Sequence, residues 1–279
     1  KREVVRGVLS NVKSAMLPVI SAIGGVIFPA LIFLFFNSGT KFESGWAIPT
    51  ATDIAFSLGI LSLLGSRVPF SLKIFLTALA IIDDLMAIII IALVYTSSID
   101  VTFLFYAAAI ISVLVLLNKS KFRNLSVYYI LGILLWFFVM KSGVHATIAG
   151  VMLAFTIPIQ SVERIERNLY KPVTYLILPL FALANTAIPF SMEIVKGLTT
   201  TLSMGIVLGL FLGKVTGITL FSMSAVKLKI GTVSGNITLR QILGVGFIAG
   251  IGFTMSIFIS NLSFTQTLII NESKLAVLL

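Results

Sequence analysis

The 279 residues include no cysteine, which excludes a disulfide framework and any thiolate metal centre. Charge is scarce too. Asp, Glu, Lys and Arg together make up 11% of the chain, where a soluble domain carries roughly 25%. A chain so poor in charge cannot cover a water-facing surface. No long polar linker, low-complexity tract or separate soluble domain interrupts it. Metal-ligand spacing, a nucleotide-binding loop and a nucleophile constellation are likewise missing. Gly244-Val245-Gly246 imitates the start of a dinucleotide motif but sits inside an apolar run and follows no strand.

Apolar sequence fills the space. Hydrophobic residues make up 58% and the mean hydropathy is +1.12. A helix needs ~20 apolar residues to cross a bilayer. The uncharged runs place spans at 14–36, 47–64, 71–95, 101–118, 124–141, 143–160, 172–190, 198–222 and 241–264, with a partial span at 268–279. Nothing alternates like a barrel strand, and the runs are too long for one. The expected fold class is therefore an all-α polytopic membrane protein: one transmembrane transporter domain over 1–279, with about nine complete spans and part of a tenth. The chain begins on Lys1 and its last apolar run stops at Leu279, so both ends are expected to be truncated. The basic start up to Lys13 precedes an apolar run too long for a signal peptide.

The net charge of +10 does not point to nucleic acid, because the charges cluster between the apolar runs. Alternate loops differ in basic residues. One set carries Lys1, Arg2, Arg6 and Lys13, then Arg67 and Lys73, then Lys119, Lys121 and Arg123, then Arg164, Arg167 and Lys171, then Lys227, Lys229 and Arg240. The other carries only Lys41, Lys141, Lys196 and Lys274. The first set is cytoplasmic by the positive-inside rule, and the alternation stays in phase throughout.

Four ionisable residues fall at membrane depth, where each costs ~2.5–3.5 kcal/mol on insertion scales: Asp53, Asp83, Asp84 and Lys214. Asp83 and Asp84 sit mid-span in Ala80-Ile81-Ile82-Asp83-Asp84-Leu85. Adjacent helical residues point ~100° apart, so the two carboxylates can border one cavity without sharing a face. In a low-dielectric site they resist double ionisation. Such a pair holds protons or a hard cation, not both, which is the core of an exchanger. The plainer alternative is a pair serving assembly alone. Asp53 follows Pro49, which removes a helical hydrogen bond. It suits either an ion ligand or a group neutralising the end of an interrupted helix. Lys214 finds its natural partner among these carboxylates, the alternative being a lysine that snorkels to the interface. His145, the one histidine, is either a pH sensor or a structural hydrogen-bonding residue. Glu163, Arg164, Glu166 and Arg167 read most simply as a solvated loop. Thr52-Asp53-Ile54-Ala55-Phe56 echoes Thr254-Met255-Ser256-Ile257-Phe258, each after a helix-breaking element, a pattern that hints at inverted repeats.

Several stretches resemble the NhaA family of bacterial sodium/proton antiporters: Gly45-Trp46-Ala47-Ile48-Pro49-Thr50-Ala51-Thr52-Asp53-Ile54-Ala55-Phe56, Leu64-Gly65-Ser66-Arg67-Val68-Pro69, Leu79-Ala80-Ile81-Ile82-Asp83-Asp84, Lys141-Ser142-Gly143-Val144-His145-Ala146-Thr147 and Gly250-Ile251-Gly252-Phe253-Thr254-Met255-Ser256-Ile257-Phe258. They occur in the family's order and cover nearly the whole chain. NhaA is a standard example of an inverted-repeat transporter. The resemblance implies its fold of twelve helices, with two crossed discontinuous helices at 47–64 and 241–264, from which this chain lacks the first helices and the end of the last. It implies electrogenic, pH-regulated export of sodium or lithium in exchange for protons, serving sodium and pH homeostasis. The protein is then a secondary active transporter, not an enzyme. It has no cofactor beyond the transported ions and spans the bacterial inner (cytoplasmic) membrane. Asp83 and Asp84 match the paired aspartates that bind the ion and exchange protons, Asp53, Thr52 and Lys214 support the site, and His145, Glu3 and Glu166 fall at positions linked to pH response. Sodium, protons and the lipid bilayer are the implied partners. Family members dimerise partly through a hairpin between their first two helices. That region is absent here, which leaves a homodimer open.

Other functions with membrane aspartates fit less well. An intramembrane aspartyl protease needs its two aspartates on separate helices, one in a Gly-x-Gly-Asp context that this chain lacks. A retinal pump would use Lys214 as its Schiff base, but has seven helices. A sodium-coupled organic-anion transporter on a similar fold is expected to lack the adjacent aspartate pair.

Overall fold

The computed structural model describes residues 1, 5, 7–96, 99–189, 192, 194, 197–231 and 237–279. Helices make up its regular structure, and no strand occurs among the described residues. The chain divides into two compact units. One comprises Lys1–Gly7 and Ile88–Pro179, the other Val8–Ala87 and Leu180–Leu279.

The second unit opens with α1 (Val12–Asn37), started by Asn11, whose side chain accepts from the Lys13 N–H. A 3-10 helix (Glu43–Thr50), three extended residues and α2 (Ile54–Leu63) follow. Next comes α3 (Phe70–Val94), which runs unbroken for 25 residues and contributes its part up to Ala87 to this unit. The later part of the unit holds α9 (Thr201–Leu208), a π turn (Gly209–Gly213) and α10 (Lys214–Lys227), which read as one 27-residue span. It ends with α11 (Leu239–Ala249), α12 (Phe253–Ser263) and α13 (Thr267–Leu278).

The first unit holds α4 (Val101–Lys119), α5 (Leu125–Lys141), α6 (Thr147–Thr156) and α7 (Ile159–Pro172), followed by a π turn (Val173–Ile177) and the first two residues of α8 (Leu178–Thr186), the rest of which, from Leu180, belongs to the second unit. Its core is Ala107 and Leu114 against Tyr128, Leu135, Val139 and Ala149. Asp100 and Asn124 cap α4 and α5 with their side chains, removing orphan N–H groups that neither lipid nor packing would satisfy.

Every apolar run carries a helix, but not every helix has spanning length. Among the described residues five are long and apolar enough: α1, Glu43–Leu63, α3, α4 and Thr201–Lys227. The pair α11–α12, bent by 48°, makes a sixth. Residues 143–160 yield only the ten residues of α6. Gly143 takes a left-handed turn at φ 82° after α5, and Ile157-Pro158 ends α6, since a residue before proline is pushed out of the helical region. The charges at 163–167 are not a loop. They ride on α7, a strongly one-sided helix whose polar face carries Glu163, Arg164, Glu166 and Arg167.

The packing that matters most joins α1 to Thr201–Lys227. Gly205, Gly209, Gly213 and Gly217 recur every four residues and form one stripe. A Cβ on Gly217 would stand 2.1 Å from the Gly24 carbonyl oxygen, and one on Gly213 would stand 2.7 Å from Pro29 Cα. Backbones approach this closely in membranes only through small residues. The stripe therefore presses α10 against α1 and lays the Lys214 stem 3.7 Å from the Cβ position of Gly25. The π turn just before Lys214 rotates that residue out of α9's register.

Candidate ion site

The two interrupted spans meet at their interruptions. Between Thr50 and Ile54 the chain is extended, and between Ala249 and Phe253 it turns through Gly250 and Gly252. Backbone groups freed there would be costly in lipid unless paired. They pair with each other. Asp53 N–H donates to the Ile251 carbonyl at 2.7 Å, and Thr52 Oγ1 to the Ala249 carbonyl at 2.7 Å. Two serines repeat one contact from opposite sides. Ser57 Oγ, on α2, donates to the Ile248 carbonyl at 3.0 Å, and Ser256 Oγ, on α12, to the Ile48 carbonyl at 2.7 Å. Gly252 stands where a Cβ would meet the Ala51 carbonyl at 3.1 Å.

Asp53 closes this junction. Its Oδ1 accepts from Ala55 and Phe56 N–H, capping α2. Its Oδ2 accepts from Thr254 N–H at 3.1 Å and from Thr254 Oγ1, so the same carboxylate also sits on the start of α12. Two positive helix ends thus share one negative charge. The sequence echo between the segments is offset from this relation. It aligns Asp53 with Met255, whereas the position that precedes α12, as Asp53 precedes α2, is Gly252.

Asp83 is 1% exposed and Lys214 is fully buried, with Lys214 Nζ donating to Asp83 Oδ2 at 2.8 Å. The other oxygen, Asp83 Oδ1, is buried and accepts no hydrogen bond. The same holds for Asp84 Oδ1. Asp84 interacts electrostatically with Asp83, Asp53 and Lys214, so the four membrane ionisable residues named from the sequence form one group. Three carboxylates face one ammonium there, and two of the carboxylates keep an oxygen that the protein leaves unpaired. Such a site suits a hard cation or added protons.

Of the residues linked to pH response, His145 and Glu166 are not in this group. His145 lies in the other unit, in the turn between α5 and α6, with Nδ1 3.1 Å from Thr147 Oγ1. Glu166 is exposed on α7, and Glu3 falls outside the described residues. Thr254, Ser57 and Ser256 were not singled out from the sequence. The signal available was their position, one turn or less into a helix that follows a break. The glycine stripe was legible as a small residue at every fourth place.

A family model described as "Na+/H+ antiporter 1" matches residues 1–279. The chain is 53% identical to the "Na(+)/H(+) antiporter NhaA" of Flavobacterium psychrophilum, over all of this chain and 74% of that protein. It is 51% identical to the protein of the same description from Cytophaga hutchinsonii, again over all of this chain and 74% of its relative. With the Escherichia coli UTI89 protein, also described as "Na(+)/H(+) antiporter NhaA", identity is 50% at the same coverage. Helices of spanning length, two joined breaks and an adjacent aspartate pair are thus found in a chain that belongs to the Na+/H+ antiporter 1 family of multi-pass membrane proteins.

Proposed function

We propose that the protein exchanges sodium for protons across a membrane, as a secondary active transporter whose ion site is Asp83 and Asp84. The observation that carries this is the uneven satisfaction of the buried charges: Lys214 holds one Asp83 oxygen, while Asp83 Oδ1 and Asp84 Oδ1 have no hydrogen-bond partner. A buried carboxylate normally collects hydrogen bonds, and leaving two oxygens without them suits groups that must accept protons or an ion in turn. Sodium, a hard cation, takes oxygen ligands. The two carboxylates, the Thr52 hydroxyl and carbonyls at the breaks supply them. When sodium binds Asp83, it takes over the counter-charge that Lys214 provides, so ion entry and release of Lys214 are coupled. Protonation of the carboxylates then expels the ion.

Both units together form one transporter domain, and rigid-body movement of one bundle against another alternates access to the site. The two interrupted helices cross at mid-membrane. The setting is the bacterial inner membrane, and export of sodium or lithium for a larger number of protons makes the cycle electrogenic and supports sodium and pH homeostasis. His145, Glu166 and Glu3 set its pH response, the first two from outside the site. The bilayer is the surrounding partner, and a second copy of the chain is a candidate partner in a homodimer.

Everted vesicles carrying the full-length protein and a proton gradient test this. Adding sodium should collapse the gradient, read with a proton-sensitive dye, and Asp84→Asn should reduce the collapse at least 100-fold. Normal exchange by Asp83→Asn and Asp84→Asn alike would remove both residues from the site.

A further inference from the structure

A fourth membrane carboxylate stands apart from this group. Glu272, on α13, is 4% exposed. It packs on the 3-10 turn Gly197–Thr199 so closely that a Cβ on Gly197 would lie 2.7 Å from the carboxyl carbon. Thr200, which caps α9, and Ser203 on α9 turn their hydroxyls toward the same spot. The surrounding loops hold Lys41 and the start of α9, on the side poor in basic residues, hence the outer half of the membrane.

Counting hydrogens identifies what the cluster holds. Thr200 Oγ1 is 2.8 Å from the Gly197 carbonyl oxygen and also in hydrogen-bond contact with Glu272 Oε1. Ser203 Oγ is 2.9 Å from the same Gly197 carbonyl. These three oxygen–oxygen contacts have only two hydroxyl hydrogens between them. A proton on the carboxyl of Glu272, donated to Thr200 Oγ1 while both hydroxyls donate to Gly197, supplies the third. Next to this cluster Asn37 Nδ2 donates to the Thr201 carbonyl, while Asn37 Oδ1 is buried without a partner, so the layer is rich in acceptors and short of protons. Of the charged groups around Glu272, Lys41 acts on it from the loop after α1, and Lys274, also buried, lies two residues on along α13. Neither makes a salt bridge to it among the described residues.

We infer that Glu272, with Thr200, Ser203 and the Gly197 carbonyl, is a proton-binding site in the outer half of the membrane, separate from Asp83 and Asp84. It takes up one proton and releases it as the outer pH rises. The assignment stands on these contacts alone and does not depend on which residues carry the exchange.

Infrared difference spectra of the full-length protein in liposomes, recorded between low and high pH, test it. Wild type should lose a carboxylic C=O band on raising the pH. That band should be absent from Glu272→Gln, a substitution of nearly the same shape, and present in Asp83→Asn and Asp84→Asn. Identical band sets in wild type and Glu272→Gln would overturn the assignment. Should Glu272→Gln not fold, Thr200→Val decides: removing the acceptor of the Glu272 proton must shift the band, and an unshifted band would overturn it. Sodium-driven collapse of the gradient, measured in the same liposomes, reads the exchange reaction separately.

Discussion

Asp53 and Asp83 are both buried aspartates in one unit, yet the protein treats them in opposite ways. Asp53 is saturated, with Ala55, Phe56 and Thr254 N–H groups and the Thr254 hydroxyl filling its two oxygens. Asp83 has one strong partner, Lys214, and one oxygen with none. A carboxylate whose lone pairs are occupied by fixed donors has no room for an ion. One with a free oxygen beside an ion pair can trade partners. The difference separates a charge that holds the fold together at the breaks from charges that can bind what is transported. It favours the second of the two roles that the sequence leaves open for Asp53, a ligand or a helix-end charge.

The comparison is sharpest at the ion pair. Replacing Asp83 by Asn leaves Lys214 buried without its counter-charge, and removing one partner of a buried pair costs about 3–5 kcal/mol. Asp83→Asn should therefore lower thermal stability in detergent as well as abolish exchange. The double variant Asp83→Asn/Lys214→Met should recover most of the stability and none of the exchange. Equal melting temperatures for the single variant and wild type would mean that the pair is not formed in the stable state of the protein.

Asp53 should break differently. Asp53→Ala removes the cap of α2 and the bonds to the start of α12, a loss of about 1 kcal/mol for the cap and about 1.5–3 kcal/mol for hydrogen bonds to a charged group. Asp53→Asn keeps an oxygen for Ala55 and Phe56 but turns an NH2 toward the Thr254 N–H, so it should fall between wild type and Asp53→Ala. Sodium affinity, where the protein still folds, should change far less than in Asp84→Asn. A loss of sodium binding in Asp53→Asn as large as in Asp84→Asn would make Asp53 a ligand instead.

Much of this was legible in the residues. The uncharged runs located the helices, because lipid leaves no other use for them, and the scarcity of charge made Asp53, Asp83, Asp84 and Lys214 conspicuous. What escaped notice is whatever depends on partners distant in the chain. Thr254 is an ordinary threonine until Asp53, 201 positions away, is placed beside it. The internal echo matched residue types but not helix starts, since its alignment ignores that Asp53 precedes α2 as Gly252 precedes α12. In the sequence Glu272 is one of two charges within the terminal apolar run, with no pattern to set it apart. Its burial follows from packing on Gly197, which no local pattern encodes. The 3-10 form of Glu43–Thr50 reflects the break it leads into, which Pro49 signalled only in part.

The smallest expected effect bears on the junction itself. Ser57 and Ser256 make the same contact from the two sides of the joined breaks, each from one turn into its helix to a carbonyl just before the other break. If the junction behaves as two equivalent halves apart from its single charge, Ser57→Ala and Ser256→Ala should cost the same, about 0.6 kcal/mol each, the mean for hydrogen bonds between membrane helices. Both serines are wholly buried, but the Ser256 bond is the shorter, and the Ser57 bond runs beside the Asp53 cap that already holds α2. A double-mutant cycle with Asp53→Asn separates the cases. Coupling of Asp53 to Ser57 but not to Ser256 would place the charge on the α2 side alone. Equal coupling to both, measured from unfolding in detergent, is what a carboxylate shared between the starts of α2 and α12 requires.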